Sequence, residues 1–253
     1  MEPTHVKLVR STAGGAEFYL LQNQQVGKGG NATVYRAVDP RQPNQQMVVK
    51  VIQIADEKKR AVIERELQII EKLPVHPNIV RTWQARCFSS SNYYIFMELC
   101  EGGTLGQEMS RWRHGVSEKA ILNIAYQIVQ GYNVLYQNNI VHLDIKPDNI
   151  LVSRGYYKLA DFGLSVIQDP SRTVRREGTK TYMSPERLLN PNYVPNALAD
   201  VYSIGIVLFL IIVGHHPYFS SNAPHLPIKD FIEELLGVPC HIPRSMAHFS
   251  LEF

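Results

Sequence analysis

The chain has 253 residues, of which 45% are hydrophobic, so it is long enough to bury a sizeable core. Its net charge of +3 is mild and no long basic run occurs, which gives no support for nucleic-acid binding. The three cysteines, Cys87, Cys100 and Cys240, show neither metal-binding spacing nor a disulfide framework, so we expect a reducing compartment.

The chain begins with a polar stretch that lacks the apolar core of a signal peptide. A glycine-containing stretch then lies between two β-rich runs, and it consists of Val26, Gly27, Lys28, Gly29, Gly30, Asn31, Ala32, Thr33 and Val34. It predicts a hairpin whose bare backbone can approach phosphates, but with 16 glycines a Gly-x-Gly is expected about once by chance. The lysine of a P-loop is absent, which disfavours a Walker-type NTPase.

A lysine and a glutamate in the next two predicted elements are a candidate ion pair. Residues 47–52 form a β-branched run that contains Lys50, and by itself this run could be a surface strand with an exposed lysine. The following stretch has a helical apolar stripe made of Val62, Ile63, Ile69, Ile70 and Leu73. Glu66 falls inside this stripe, where a carboxylate is costly unless it is paired. Lys50 would supply the partner; the alternative is that Glu66 lies at the wet edge of the stripe.

The second half of the chain is predicted to be mostly helical. Strands are expected to continue to Leu99, and a Gly102-Gly103 break follows. A long amphipathic helix begins near Ser117, with an apolar face formed by Ile121, Ile124, Ala125, Ile128, Tyr132 and Leu135. The longest apolar run, residues 201–213, is shorter than the ~20 residues of a membrane span. We interpret it as a buried core helix and expect no membrane partner.

The most informative stretch is His-Leu-Asp-Ile-Lys-Pro-Asp-Asn at residues 142–149. It places a carboxylate, an ammonium group and an amide within six residues, at Asp144, Lys146 and Asn149. Phosphoryl transfer needs a carboxylate that orients the attacking hydroxyl, a cation near the transferred phosphate and an oxygen ligand for Mg²⁺. Downstream, Asp161 begins an Asp-Phe-Gly sequence after an apolar-alternating stretch. This pattern predicts a strand that ends in a turn projecting a carboxylate, although an Asp before Phe-Gly is also a common turn.

Together and in this order, the motifs resemble those of the eukaryotic-type serine/threonine protein kinases over residues 19–253. The resemblance implies an α+β, bilobal kinase-like fold, with a β-rich small lobe at about residues 19–99 and a mostly helical large lobe at about residues 100–253. Lys146 and the segment at residues 178–186 match the serine/threonine class. The resemblance therefore implies a cytoplasmic enzyme, with access to the nucleus, that uses ATP and Mg²⁺ to phosphorylate protein substrates. A regulatory partner or chaperone is a further implied partner.

The resemblance also implies a role for each site residue. Asp144 would act on the acceptor hydroxyl, and Lys146 would neutralise the transferring phosphate. Asn149 and Asp161 would hold Mg²⁺, while Lys50, braced by Glu66, would position the α- and β-phosphates of ATP. The nucleotide would further contact the glycine-containing loop from Val26 to Val34, backbone groups of the hinge residues Glu98 and Cys100, and the adenine-sandwiching pair Val34 and Leu151. Thr179 would bind Asp144 and Lys146 and form the platform for the protein substrate.

Two departures from the family pattern keep a second function open. Leu143 stands where many regulated members carry the arginine that pairs with a phosphate on the activation segment, residues 161–186. The usual acceptor for a phosphate on Ser171 or Thr173 is therefore missing. The chain also ends soon after residues 227–237, which resemble a late large-lobe helix, so we expect a large lobe that lacks the last family helices. The alternative function is a truncated, catalytically weak kinase-like scaffold that acts through protein binding. A small-molecule kinase of the same fold is disfavoured by residues 178–186.

Overall fold

The computed structural model describes residues 6–10, 17–29, 32–88, 91–112 and 115–218, and for residues 6–8, 10 and 84–88 it describes the backbone only. The predicted nucleotide contacts at Gly30 and Asn31 lie outside the described residues, as does the late helix expected at residues 227–237.

The first part of the fold is a six-stranded antiparallel sheet with the strand order β1-β2-β3-β4-β6-β5. Its strands are β1 (Val6–Arg10), β2 (Glu17–Lys28), β3 (Ala32–Val38), β4 (Met47–Gln53), β5 (Thr82–Phe88) and β6 (Asn92–Glu98). The register of β3 and β4 sets Val34 opposite Lys50. Two predicted nucleotide contacts therefore lie side by side on neighbouring strands.

The helix α1 (Glu57–Lys72) packs on one face of this sheet, as its apolar stripe predicts. It begins after Asp56, whose side chain accepts a hydrogen bond from the backbone N–H of Lys59 at 2.7 Å and so caps the helix. Ile63 and Leu67 of α1 pack against Ile52, Tyr93 and Ile95 of the sheet. The opposite face of the sheet holds a separate apolar cluster around Phe18, Val49 and Phe96. Two apolar faces therefore hold the sheet and leave α1 in a defined position over β4.

The second part consists of helices and short strands. The helices are α2 (Leu105–Met109), α3 (Glu118–Gln137), α4 (Pro185–Leu189) and α5 (Ala197–Val213). The strands are β7 (Gly103–Thr104), β8 (Ile140–Val141), β9 (Ile150–Ser153), β10 (Tyr156–Leu159) and β11 (Val166–Ile167). The largest apolar cluster joins α3, α5, β9 and β10 through residues such as Ile128, Leu135, Ile150, Leu159 and Val207. This core carries the loop between β8 and β9, at residues 142–149.

The helix α5 differs in part from the expected core helix. It begins four residues before the predicted run, after Asn196, whose side chain accepts a hydrogen bond from the backbone N–H of Leu198 at 2.9 Å. One face is buried, but Val201, at the start of the predicted run, is 50% exposed. The apolar run therefore covers more than the buried face of the helix. Within the described part of the chain, no helix combines the length and apolar character that crossing a membrane requires.

Candidate active site

The carboxylate of Asp144 is the centre of a hydrogen-bond network that joins two distant segments. Its Oδ2 lies 2.9 Å from Lys146 Nζ and accepts a hydrogen bond from Asn149 Nδ2 at 2.9 Å. Its Oδ1 accepts one from the backbone N–H of Thr179 at 3.1 Å. Lys146 Nζ also donates to Thr179 Oγ1 at 2.7 Å. The predicted contacts of Thr179 with Asp144 and Lys146 are therefore present, and they place the segment at Thr179 beside the loop at residues 142–149.

A buried carboxylate from α5 holds the start of this loop. Asp200 is fully buried, and its two oxygens accept hydrogen bonds from the backbone N–H groups of His142 and Leu143 at 2.7 and 2.8 Å. Burial raises the pKa of Asp200, while the nearby His142 and the two N–H donors oppose that shift. Leu143 has φ of 68°, a left-handed conformation that a leucine adopts only when its surroundings impose it. Asp200 thus stabilises a strained turn immediately before Asp144.

Lys50 lies between two carboxylates that come from different parts of the chain. Its Nζ is 2.6 Å from Glu66 Oε1 on α1 and 2.9 Å from Asp161 Oδ1 after β10. Glu66 is only 6% exposed, which agrees with the expectation that a carboxylate inside the apolar stripe needs a partner. Burial by itself would lower the pKa of Lys50, but Glu66 and Asp161 outweigh it and the pKa lies above its usual value. The ammonium group is therefore charged and held in one position.

The side chain of Asp161 is half-exposed, and its backbone is left-handed with φ of 61°. Burial alone would raise the pKa of Asp161, but the Lys50 ammonium outweighs that effect and keeps the pKa below its usual value. Asp161 is therefore ionised in the physiological pH range and offers a carboxylate oxygen as a metal ligand. Asn149 uses its amide nitrogen for Asp144, so its amide oxygen remains for a metal. Two such hard oxygen donors fit Mg²⁺, which keeps several waters and usually takes one or two protein ligands.

A mostly apolar cavity of about 260 Å³ lies beside this ion pair. Its lining includes seven of the residues predicted to bind nucleotide or metal, namely Gly29, Ala32, Val34, Lys50, Asn149, Leu151 and Asp161. Val26, Gly27, Lys28 and Thr33 are described but do not line the cavity, and neither do Glu98 and Cys100. The Glu98 carboxylate instead pairs with Lys158 at 2.9 Å, and burial raises the pKa of the Cys100 thiol to about 12. For Glu98 and Cys100, only the backbone groups are expected to bind the nucleotide.

Residues of the second part of the fold hold the segment that carries Thr179 in place. Gly178 has φ of 116°, and a Cβ at this position would lie 3.3 Å from Asp144 Oδ1, so glycine lets the segment approach the carboxylate closely. Ser203 of α5 donates a hydrogen bond to the carbonyl of Tyr182 at 2.8 Å. The Nε2 of His216 lies 2.7 Å from the carbonyl oxygen of Thr181. Burial lowers the pKa of His216, so a neutral ring meets the Thr181 carbonyl oxygen.

Sequence patterns did not assign these supporting residues. A carboxylate at the start of the apolar run was a signal that Asp200 needs a buried partner, but the identity of that partner is a long-range property. Ser203 and His216 act through backbone carbonyls, which any sequence offers. The buried Arg187 of α4 was also missed, because it follows Glu186 on a five-residue helix without a clear periodicity.

The family model for the protein kinase domain matches residues 20–245. Together with the bilobal arrangement of a β-rich first part and a helical second part, this match shows that the chain belongs to the protein kinase family. Members of this family use ATP and a divalent metal and act on protein substrates.

Several proteins similar to this chain carry the name serine/threonine-protein kinase. The chain is 32% identical over 235 residues to serine/threonine-protein kinase atg1 of Dictyostelium discoideum, covering 88% of this chain and 34% of that protein. It is 30% identical over 223 residues to serine/threonine-protein kinase ULK3 of Homo sapiens, covering 85% of this chain and 46% of that protein. It is 31% identical over 222 residues to the probable serine/threonine-protein kinase PknB of Lactococcus lactis, covering 85% of this chain and 35% of that protein. The chain thus spans about a third to a half of the length of these relatives.

Proposed function

We propose that the chain transfers the γ-phosphoryl group of ATP to serine and threonine hydroxyls of protein substrates. The observation that carries this proposal is the Lys50 ammonium, which lies 2.6 Å from Glu66 and 2.9 Å from Asp161 at the edge of the apolar cavity. In the family, this arrangement is the one that holds a nucleotide for phosphoryl transfer. The proposal assigns residues 19–99 to the small lobe and residues 100–253 to the large lobe.

On the nucleotide side, Val34 and Leu151 sandwich the adenine in the apolar cavity, and hinge backbone groups at Glu98 and Cys100 bind its edge. The loop at residues 26–34 covers the phosphates, and Lys50 neutralises charge on the α- and β-phosphates. Asn149 and Asp161 would hold Mg²⁺ through their oxygens. Bound Mg²⁺ would offset the negative charge of the β- and γ-phosphates.

On the acceptor side, Asp144 orients the hydroxyl of the substrate and accepts its proton. Lys146, 2.9 Å from Asp144 and 2.7 Å from Thr179, provides positive charge where the phosphoryl group passes. Thr179 fixes the platform on which the substrate backbone rests. Because this platform is bonded to Asp144 at 3.1 Å, substrate placement and hydroxyl orientation are coupled.

The enzyme reading is favoured over a catalytically weak scaffold because the charged side chains of the site are both present and in contact. The test uses the purified chain with γ-labelled ATP, Mg²⁺ and three otherwise identical peptide libraries that carry serine, threonine or tyrosine as the acceptor. We expect label on the serine and threonine libraries, little on tyrosine, and none when a chelator removes Mg²⁺. No label on any library, with nucleotide binding intact, would favour the scaffold function.

A further inference from the structure

A buried arginine on α4 joins the catalytic loop to the activation segment. Arg187 is only 3% exposed, and its guanidinium donates two hydrogen bonds. Its Nη1 donates to the backbone carbonyl of Leu143, and its Nη2 donates to the backbone carbonyl of Glu177. Its Nε is buried and has no hydrogen-bond partner.

Burying this group is costly for the fold. A guanidinium remains charged in proteins, and a buried charge is normally paired with an opposite charge. Within the described part of the chain, the ion pairs do not include Arg187, so two backbone carbonyls are its direct acceptors. Burial lowers the pKa of Arg187, and Asp144 and Asp200 oppose that shift only from a distance. An apolar residue of similar volume would stabilise the fold at least as well as this buried charge. The arginine therefore points to a role in positioning the two segments that it binds.

The two carbonyls that Arg187 binds flank the reacting carboxylate. Leu143 immediately precedes Asp144, and its φ of 68° shows that its backbone is held in a strained conformation. Glu177 lies two residues before Thr179, whose backbone N–H donates to Asp144 Oδ1 at 3.1 Å. Arg187 therefore ties both sides of the Asp144–Thr179 contact to the same rigid group.

The side chain of Leu143 fastens the activation segment in a second way. It is 4% exposed and packs with Val166, Tyr193 and Ala199, and Val174 of the activation segment packs against this cluster. The backbone N–H of Val174 also donates to the carbonyl of Tyr193 at 2.9 Å. An apolar cluster thus stands where an arginine–phosphate pair would otherwise fasten the segment. These contacts need no phosphate group on the chain.

We propose that Arg187 is a positioning residue for phosphoryl transfer, which holds the substrate platform against the catalytic loop without a phosphorylated residue. This inference rests on the proposed function of the chain as a protein kinase. It assigns to Arg187 the alignment of the peptide with Asp144, and no part in nucleotide binding.

The test compares Arg187→Met, which keeps the length of the stem but cannot donate, with Arg187→Lys, which keeps the charge but replaces the guanidinium by a single ammonium group. Arg175→Met is the matched control, because Arg175 is an exposed arginine of the activation segment. For each variant, the measurements are kcat and KM for a serine/threonine peptide, KM for ATP, and ATP hydrolysis without peptide. A misplacement of about 1 Å costs roughly 10²-fold, so we expect kcat/KM for the peptide to fall by about that factor in Arg187→Met. The loss should be intermediate in Arg187→Lys and absent in Arg175→Met.

Comparing the effects on peptide turnover with the effects on ATP distinguishes a loss of positioning from general damage to the enzyme. KM for ATP and hydrolysis without peptide should change far less than peptide turnover. Hydrogen exchange at the Thr179 amide should quicken in Arg187→Met, and this measurement does not depend on activity. If Arg187→Met does not fold, as judged by its melting curve, Arg187→Lys gives the same comparison.

Three results would overturn the inference: unchanged peptide kcat/KM in the folded variants, unchanged exchange at Thr179, or equal losses in peptide turnover and ATP binding. A wild-type chain that phosphorylates no peptide would contradict the proposed function instead. Exchange at Thr179 would then still decide whether Arg187 joins the two segments.

Discussion

Replacing Asp144 with asparagine should remove nearly all phosphoryl transfer, because the carboxylate accepts two hydrogen bonds and forms one ion pair. Oδ2 faces donors on Lys146 and Asn149, and Oδ1 faces the backbone N–H of Thr179. An asparagine has one acceptor oxygen, and its amide nitrogen can only donate. If the asparagine oxygen faces Lys146 and Asn149, its amide NH₂ group faces the Thr179 N–H. Two donors then face each other and no hydrogen bond forms between them. The substitution therefore breaks the contact with Thr179 and removes the charge that we propose orients the hydroxyl.

The size of the effect follows from these two losses. A hydrogen bond to a charged group contributes about 1.5–3 kcal/mol. Orienting or general-base roles contribute about 10²- to 10⁴-fold in rate. At about 1.36 kcal/mol per tenfold change in rate, this range is about 2.7 to 5.4 kcal/mol of barrier. We therefore expect peptide turnover to fall by about 10³-fold. Asp144 does not line the apolar cavity, so ATP affinity should stay close to that of the wild type.

Initial rates on a serine/threonine peptide, measured beside calorimetric ATP affinity, test this expectation. Asp169→Asn is the matched control, because Asp169 is exposed and its carboxylate accepts hydrogen bonds from Ser171 rather than from the catalytic loop. The control should turn over peptide at the wild-type rate. Equal turnover in Asp144→Asn and the wild type would refute the assigned role of Asp144. A parallel loss of ATP affinity in Asp144→Asn would contradict the proposal that Asp144 acts on the acceptor hydroxyl and not on the nucleotide.

The remaining predictions concern the metal and the activation segment. Mg²⁺ with ATP should raise the melting temperature more than ATP alone, and Asp161→Ala should abolish the difference, because Asp161 is a proposed metal ligand. A ligand at a hundredfold excess over its Kd stabilises the folded state by about 2.7 kcal/mol, or roughly 5 to 10 °C for a chain of this size, and a Mg²⁺ increment that persists in the variant would contradict the site. The double substitution Ser171→Ala and Thr173→Ala should keep most of the peptide turnover, since the Leu143 cluster and Arg187 fasten the segment without phosphate. A loss of orders of magnitude in that assay would mean that nearby arginines bind a phosphate after all.

Local sequence predicts the parts of the site that depend on periodicity and motif spacing. The helical stripe around Glu66 implies a buried carboxylate, and the structure pairs it with Lys50 at 2.6 Å. The helix from Ser117 begins where expected, because the Ser117 hydroxyl accepts a hydrogen bond from the N–H of Ala120 and caps it. These features follow from the rule that buried polar groups need partners and from 3.6-residue periodicity, both of which can be read locally.

The exposed face of α5 could not be predicted in the same way. Its apolar run is continuous, so periodicity does not distinguish the buried face from the exposed face. The tertiary structure makes the distinction, because α3 and the loop at residues 142–149 cover only one side of the helix. Asp200 therefore becomes fully buried, while Val201 next to it is half-exposed.

The sequence by itself determined which chemical groups the proposed site offers and their order along the chain: Lys50, Glu66, Asp144, Asn149 and Asp161. Only the tertiary structure decided what holds those groups in place. The partners of Asp200 and Arg187 are backbone N–H and carbonyl groups of segments that are 10 to 58 residues away. Every residue offers such backbone groups, so no side-chain pattern marks the ones that a buried charge will meet. That choice depends on which turns of the chain pack beside α4 and α5.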